Sequence, residues 1–313
     1  MSDVEFKLNT PVAFIIFNRP DTTDIVFMEI ARAQPSKLLV ISDGPRLNRP
    51  GEAERVAQTR AIIDRVDWDC EVLTHYAETN MGCKMRVSSG LDWVFAQVEE
   101  AIILEDDCVP QPSFFRFCQE LLEKYRNDER VALISGDNFQ FGRHRTDASY
   151  YFSRYNHIWG WASWRRAWNH YDRDIKSWPE IQKDDGLRQV TFSEQEAAYW
   201  SKACQGVYDK TIDTWDTQWT LAIFSRGMVN ILPSVNLIKN IGFGPEATHT
   251  QGLSIYANME TEPMTFPLVH PIIQAMHHEA DLYTSETMFS SRLSVRLLRK
   301  FKAHALRVAD MLK

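Results

Sequence analysis

The sequence predicts an α/β fold built around a mostly parallel central sheet, and three observations predict it. Short continuous apolar runs closed by polar turn residues recur through residues 10–140, the pattern of strands buried on both faces. Between them lie segments whose apolar residues fall at helical spacing, so strands and helices alternate as in βαβ units. The third is Ala101-Ile102-Ile103-Leu104-Glu105-Asp106-Asp107, an apolar run that ends abruptly in three carboxylates. Open α/β sheets bind ligands at the carboxyl ends of their strands. Adjacent carboxylates repel one another and are costly to desolvate, so a cation is expected there, and hard oxygen ligands suit Mg²⁺ or Mn²⁺.

The elements can be placed in order along the chain. Residues 11–17 read as a first buried strand, ending at the turn Asn18-Arg19-Pro20-Asp21. Residues 22–33 are helical, with Ile25, Val26, Met28, Ile30 and Ala33 near one face. A second strand at 37–42 closes on Asp43-Gly44-Pro45, a helix is expected over 51–66, and a third strand over 70–76. Residues 84–98 form the helix that feeds the carboxylate strand; 114–125 are helical and 131–136 form a short strand. After about residue 140 the alternation gives way to an aromatic, charged, irregular stretch, with a helix at 215–226, a strand at 228–232 and a loop at Gly242-Phe243-Gly244.

Composition narrows the function classes. A chain of 313 residues, 44% hydrophobic and 25% charged, is an ordinary globular composition, and a net charge of −7 argues against a general nucleic-acid binder. The five cysteines are scattered without a C-x-x-C pair, as reduced thiols would be. No apolar run approaches the ~20 residues of a membrane span and no signal segment is evident, so a cytoplasmic protein is expected. Residues 291–313 set seven Lys and Arg against one acid, Asp310, with apolar residues every three or four positions. Such a basic amphipathic helix suits an anionic membrane surface, here the inner face of the membrane, or a protein partner; packing against the rest of the chain is the alternative.

Taken in order, a first strand ending in Asn18-Arg19, a second in Asp43-Gly44 and a later one in Glu105-Asp106-Asp107 resemble the GT-A glycosyltransferases. The nearest branch is the N-acetylglucosaminyltransferase I type, which carries Glu-Asp-Asp in place of Asp-x-Asp. The resemblance covers residues 10–140, then 158–162 and about 211–250, is weak in the insertion at 165–210, and is absent from the remaining C-terminal segment. It implies a GT-A domain over residues 1–255, with a nucleotide-binding half (10–140) and an acceptor-side half (141–255), followed by an extension over 256–313. It also implies a nucleotide-diphospho-sugar donor, most simply UDP-linked, and a glycan or lipid-linked acceptor in polysaccharide biosynthesis.

By the same resemblance Arg19 lies beside the nucleotide with Asn18, Asp43 meets the base, Asp107 holds the metal, and Glu105 and Asp106 contact ribose and sugar. Trp215-Asp216 matches a Trp-Asp pair whose aspartate is the general base, with Asp213 a second candidate. Trp161, in Trp159-Gly160-Trp161-Ala162, matches a segment lining the donor sugar or acceptor. His249 is a further metal-ligand candidate, of a kind that the named branch does not depend on. Asn80, Lys84 and Arg86 lie by position where they could meet the nucleotide or its phosphates. Each has an ordinary counterpart: Arg19 or Asp43 as turn residues, Asp216 as a surface acid, the tryptophans as core.

The chemistry asks for these residue types independently. A departing diphosphate needs a cation, and an inverting displacement needs one carboxylate outside the metal triplet to take the acceptor's proton. The rival enzyme reading, a sugar-1-phosphate nucleotidyltransferase, wants a glycine-rich basic loop directly after the first strand, which Asn18-Arg19-Pro20-Asp21 is not. A non-catalytic glycan- or partner-binding GT-A domain would have disrupted carboxylates. A dinucleotide oxidoreductase would need a G-x-G-x-x-G after a strand, and none is present.

Overall fold

The computed structural model describes residues 6–243 and 255–289. Its first part runs β1 (Val12–Ile16), α1 (Pro20–Ala33), β2 (Lys37–Ser42), α2 (Glu52–Ala61), β3 (Glu71–Tyr76), α3 (Cys83–Gln97), β4 (Glu100–Glu105), β5 (Cys108–Pro110), α4 (Ser113–Tyr125) and β6 (Val131–Ser135). The second continues with β7 (Tyr150–Ser153), β8 (Trp161–Trp164), α5 (Arg165–Trp168), α6 (Trp178–Lys183), α7 (Gly186–Val190), α8 (Glu194–Tyr208), α9 (Asp216–Ser225), β9 (Val229–Pro233), β10 (Ile238–Asn240) and α10 (His278–Thr284).

Eight strands form one sheet in the order β3-β2-β1-β4-β8-β6-β9-β7, and β5 pairs with β10 in a small antiparallel ribbon. β3, β2, β1 and β4 are mutually parallel, β8 is antiparallel between β4 and β6, and β9 is parallel to β6 with β7 antiparallel beside it. The expected α/β fold with a mostly parallel central sheet is therefore present. Register decides where the site falls: Ile15 pairs with both Ile41 and Glu105, so β1, β2 and β4 end together. The turns after them, carrying Arg19, Asp43 and Asp106, leave the sheet on one edge.

Both sheet faces are buried, which is why these strands read as unbroken apolar runs. Val12, Phe14, Leu38, Val40, Ile102 and Leu104 face α1 and α4, against Val26, Phe27, Ile30, Phe117 and Leu121. Their alternates Ala13, Ile15, Leu39, Ile41, Ala101 and Ile103 face α3, α5 and α9, against Leu91, Val94, Phe95, Trp168 and Trp219. α3 lies especially close: a Cβ on Gly90 would stand 2.6 Å from Ile41 Cγ2.

Two segments differ from expectation. The stretch after residue 165, without helical pattern in the sequence, contains α5 to α8, and a third apolar cluster joins Trp178, Leu187, Cys204 and Val207 to Leu221 and Phe224 of α9. The 15-residue α8 starts at Ser193, whose hydroxyl accepts from Glu196 N at 3.2 Å. Glu196 itself is fully buried and accepts from Tyr155 Oη (2.8 Å), Phe192 N (2.9 Å) and Ser285 Oγ (2.7 Å). Its carboxylate thus turns inward to tie α8 to the body, a role that a three-residue sequence window does not disclose.

Residues 255–289 are tied to earlier elements by hydrogen bonds. Glu262 N donates to Asn236 O (2.9 Å), Met264 N to Ser113 Oγ (2.8 Å), and Val269 N to Ser149 Oγ (2.9 Å). Buried Asp281 accepts from Ser153 Oγ (2.5 Å) and Arg154 N (3.0 Å). These residues therefore belong to the body of the fold. The basic helix expected over 291–313 lies outside the described residues. No helix among them is long and apolar enough to cross a membrane.

The close approach of α3 to β2 makes a direct test. Gly90→Leu forces an overpacked contact with Ile41 and is expected to cost about 1–3 kcal/mol, read as a lowered urea midpoint at unchanged m-value.

Candidate functional site

The three carboxylates emerge where β4 ends beside β1. Arg19, the last residue before α1, reaches across this gap: Nη2 bonds Asp106 and Nη1 donates to Asp107 Oδ2 at 2.8 Å. Phe17 N adds a bond to Asp106 Oδ2 at 3.2 Å. Burial opposes the Arg19 charge, but Asp106 and Asp107 outweigh it and raise its pKa further. Burial raises Glu105 and Asp106 well above the usual carboxylate range, reinforced at Glu105 by its two acidic neighbours and opposed at Asp106 by Arg19. One guanidinium against three carboxylates leaves a deficit of positive charge.

The donor set among the described residues is too small to hold a divalent ion by protein side chains alone. Among the described residues no three His, Cys, Asp or Glu side chains form a metal-holding group, so an all-protein cage is absent there. Asp107, more exposed than Asp106, presents hard oxygen of the sort that holds Mg²⁺ through one or two carboxylates with substrate phosphates completing the sphere. A Cβ on Gly242 would stand 1.9 Å from Asp107 Oδ2, so the backbone after β10 closes directly on this carboxylate and only glycine fits there. His249 lies outside the described residues.

The other nucleotide-side candidates are strongly engaged with protein. Asp43 is buried and accepts from Gly44 N (2.8 Å) and Met81 N (2.9 Å) on Oδ1, and from Asn80 Nδ2 (2.9 Å) on Oδ2. Burial raises its pKa against the pull of these bonds. Asn18 donates to Glu52 Oε1 at 2.9 Å, and fully buried Glu52 also binds Arg46, which holds its pKa down at about 2. Buried Arg86 turns to His75 Nδ1 (2.7 Å), away from the carboxylate turn's own bonds. Lys84 Nζ pairs with Asp174 at 3.1 Å. Asp213 accepts from Cys83 N and Lys84 N, both at 3.0 Å, and so caps α3 from a distant loop.

Asp216 opens α9, and the packing behind it is aromatic. Trp215 is buried and stacks on Trp161 with centroids 5.8 Å apart and planes 18° apart, while Tyr171 Oη donates to Trp215 O at 3.1 Å. Trp161 is wholly buried among Trp168, Trp215 and Trp219. Its ring is therefore core that fixes the start of α9, and Trp159, two residues earlier, is the one that lines a cavity. The side-chain hydrogen bonds described for Asp216 all fall on Oδ1, from Thr214 Oγ1, Thr217 N (2.7 Å) and Thr217 Oγ1 (3.5 Å).

Asp216 borders a cavity of about 240 Å³ walled by rings that include Trp159, Tyr199, Trp200 and Phe289. Its carboxylate is in electrostatic reach of Glu105. The Cys83 thiol, pushed far up by burial, also feels Glu105, Asp213, Asp216 and Asp43, so carboxylates from four elements converge near the start of α3. The fold thus groups Arg19, Glu105, Asp106, Asp107 and Asp216, and keeps Asn18, Lys84, Arg86 and Trp161 in structural contacts. Sequence reasoning missed Cys83, Asn156, Asp137 and His157 at this site. No local pattern signals them, since they come from loops and a helix start brought together by the sheet.

No protein-family model matches the chain, and no curated protein matches its sequence. Solved structures resemble it faintly. A cytidylyltransferase from Leptospira borgpetersenii is 9% identical, with 58% of this chain and 73% of that one covered, at a TM-score of 0.33. A 4-diphosphocytidyl-2C-methyl-D-erythritolsynthase from Anaerococcus prevotii is 10% identical over 52% and 74%, at 0.30. A UDP-glucose pyrophosphorylase complexed with UDP-glucose is 9% identical over 74% and 91%, at 0.34. Likeness at this level carries no functional information.

Two outcomes test the local assignments. Asp213→Ala removes both bonds to the first turn of α3 and is expected to cost about 1 kcal/mol, only part of it restored in Asp213→Asn, whose single amide oxygen replaces one of the two acceptors; thermal unfolding reads both. Glu52 is depressed in the folded state, so its contribution is complete above the unfolded pKa and fades as pH falls toward about 2. Glu52→Gln should therefore destabilise by about 1–3 kcal/mol at pH 7, with the gap to the unaltered protein closing between about pH 5 and pH 2 in urea melts.

Proposed function

We propose that this protein is a glycosyltransferase that moves a sugar from a nucleotide-diphospho-sugar, UDP-linked in the simplest case, to a hydroxyl acceptor with inversion. The observation that carries the reading is the pairing of two carboxylate groups of different kind at one sheet edge. The first, Glu105-Asp106-Asp107, is partly neutralised by Arg19 and still short of positive charge. The second, Asp216, comes from a separate element, within electrostatic reach of the first, and borders an aromatic cavity.

The division of labour stems from charge. Asp107 would hold Mn²⁺ or Mg²⁺, and the bound ion would offset the charge on the departing diphosphate. Arg19 fixes the orientation of Asp106 and Asp107 before any ligand arrives. As the acceptor oxygen forms its bond to the anomeric carbon, the bond from that carbon to the diphosphate breaks. The acceptor's proton passes to the carboxylate of Asp216, whose Oδ1 is held by Thr214 and Thr217. No carboxylate nucleophile enters this scheme.

A nucleotidyltransferase is the second reading. What supports the transferase reading over it is the turn after β1. The chain passes from Ile16 through Phe17, Asn18 and Arg19 directly into α1 at Pro20, with Arg19 already committed to two carboxylates. A nucleotidyltransferase reaction would need a triphosphate cradle at that place.

Asp216→Asn is expected to lower kcat by about 10²–10⁴-fold while leaving UDP binding intact, and Asp107→Ala to abolish metal-dependent transfer. A thermal-shift panel of UDP, GDP, CDP and dTDP, each with Mn²⁺ or EDTA, identifies the nucleotide by a shift that needs the metal and disappears in Asp107→Ala. Full turnover of a UDP-sugar by Asp216→Asn, or production of pyrophosphate from UTP and a sugar phosphate, would overturn the assignment.

A further inference from the structure

The cavity beside Asp216 says more about the acceptor than the reaction class does. Its volume, about 240 Å³, lies below the about 300–1,000 Å³ of pockets for drug-sized ligands, which suits a single ring. Trp159, Tyr199 and Trp200 supply flat apolar faces of the kind that pack against the C–H face of a pyranose. Among the described residues no Lys or Arg lines it, and the formally charged side chains are Asp216 and Asp137. Asp137 is buried with Oδ1 unpartnered, and burial pushes its pKa far up. His157 adds no positive charge, because burial pushes it down to about 3. Among the described residues an anionic ligand would meet no cation in this cavity and at least one carboxylate.

The hydrogen-bonding groups decide between a cation and a neutral polyol. Asn156 accepts from Thr220 Oγ1 at 2.9 Å through its Oδ1. Thr220 lies one turn after Asp216 and also donates to Asp216 O at 3.2 Å, so Asn156 is registered to the proposed base through α9 itself. The amide Nδ2 then has no acceptor among the described residues, and Trp200 Nε1 is a second, buried donor without a partner. An ammonium ligand brings only donors and would leave both unmatched. Hydroxyl groups bring acceptors for these donors and a proton for Asp216.

We propose that this cavity is an acceptor subsite for a neutral hexopyranoside, in which Asn156 Nδ2 donates to the hydroxyl neighbouring the one that Asp216 deprotonates. The acceptor role rests on the glycosyltransferase reading, whereas the binding of a neutral sugar ring does not. Asn156 is then a specificity-determining residue whose loss weakens the acceptor and spares the nucleotide.

Saturation-transfer NMR on the full chain tests this with methyl glucoside, galactoside, mannoside and N-acetylglucosaminide as neutral probes. Glucuronic acid, glucosamine and N-acetyl-threonine amide serve as the anionic, cationic and peptide alternatives. Saturation is expected for at least one neutral glycoside, centred on its C–H protons, with none for glucuronic acid. Asn156→Leu should weaken that glycoside roughly tenfold, the loss of one hydrogen bond. Asn156→Asp, which keeps the side-chain volume, should do the same if folding is compromised in the leucine variant. The UDP–Mn²⁺ thermal shift of both variants should match the unaltered protein. Absence of any neutral glycoside signal, a signal unchanged in Asn156→Asp, or preferential saturation of one of the other three probes would overturn the inference. Glycoside binding without any nucleotide shift would instead overturn the transferase reading and leave a sugar-binding module.

Discussion

Arg19 stands between Asp106 and Asp107 at the point where β1 and β4 leave the sheet, and the arrangement of the site depends on that contact. Three consecutive carboxylates at the end of a buried strand would repel one another and draw in water. A guanidinium from the neighbouring strand end binds two of them and fixes their direction. The guanidinium acts as a fork, with Nη1 and Nη2 addressing different residues. Because Ile15 is in register with Glu105, the fork is in place as soon as β1 pairs with β4. Neutralisation by this contact is only partial, since one guanidinium faces a row of three carboxyl groups.

On the opposite side of the cleft the aromatic core does the positioning. Trp161 stacks on Trp215, and Trp168 and Trp219 close around it, so the first turn of α9 is set by rigid rings. Asp216 inherits that placement, and Thr214 and Thr217 hold one of its oxygens. Residues 285–289 and α8 then bring Phe289, Tyr199 and Trp200 together over the cavity, with centroids 5.0–5.1 Å apart between Phe289 and its two neighbours. Buried Glu196 anchors both elements, through Tyr155 and Ser285. The cavity side is thus assembled from segments far apart in the chain, whereas the carboxylate side is local to three strand ends.

That difference explains what could be read in advance. Strand ends are local features, and the carboxyl-edge positions of Arg19, Asp43 and Asp107 came from apolar runs and their terminators. The partners of those side chains did not. Asp43 is enclosed by the 77–81 loop, with a Cβ on Gly44 only 2.5 Å from Thr79 backbone, a closeness that no spacing in the sequence announces. Asp213 and Asp216, three residues apart and alike in composition, separate only in space: one caps α3, the other borders the cavity. Trp159 and Trp161 have the same side chain at period two, yet the start of β8 sends one to the cavity and the other to the core.

The sequence by itself determined the strand–helix alternation, the burial of both sheet faces and the collection of acids at one edge, because these depend on hydrophobic periodicity and chain connectivity. Only the tertiary structure decided which acids pair with Arg19, which aspartate caps α3 and which borders the cavity, and which rings surround that cavity. Those outcomes depend on register, on helices α5 to α8 packing beside α9, and on residues 255–289 returning to the body of the fold. Each is a contact between distant segments, fixed by the packing of buried surfaces, and a local pattern carries no record of it.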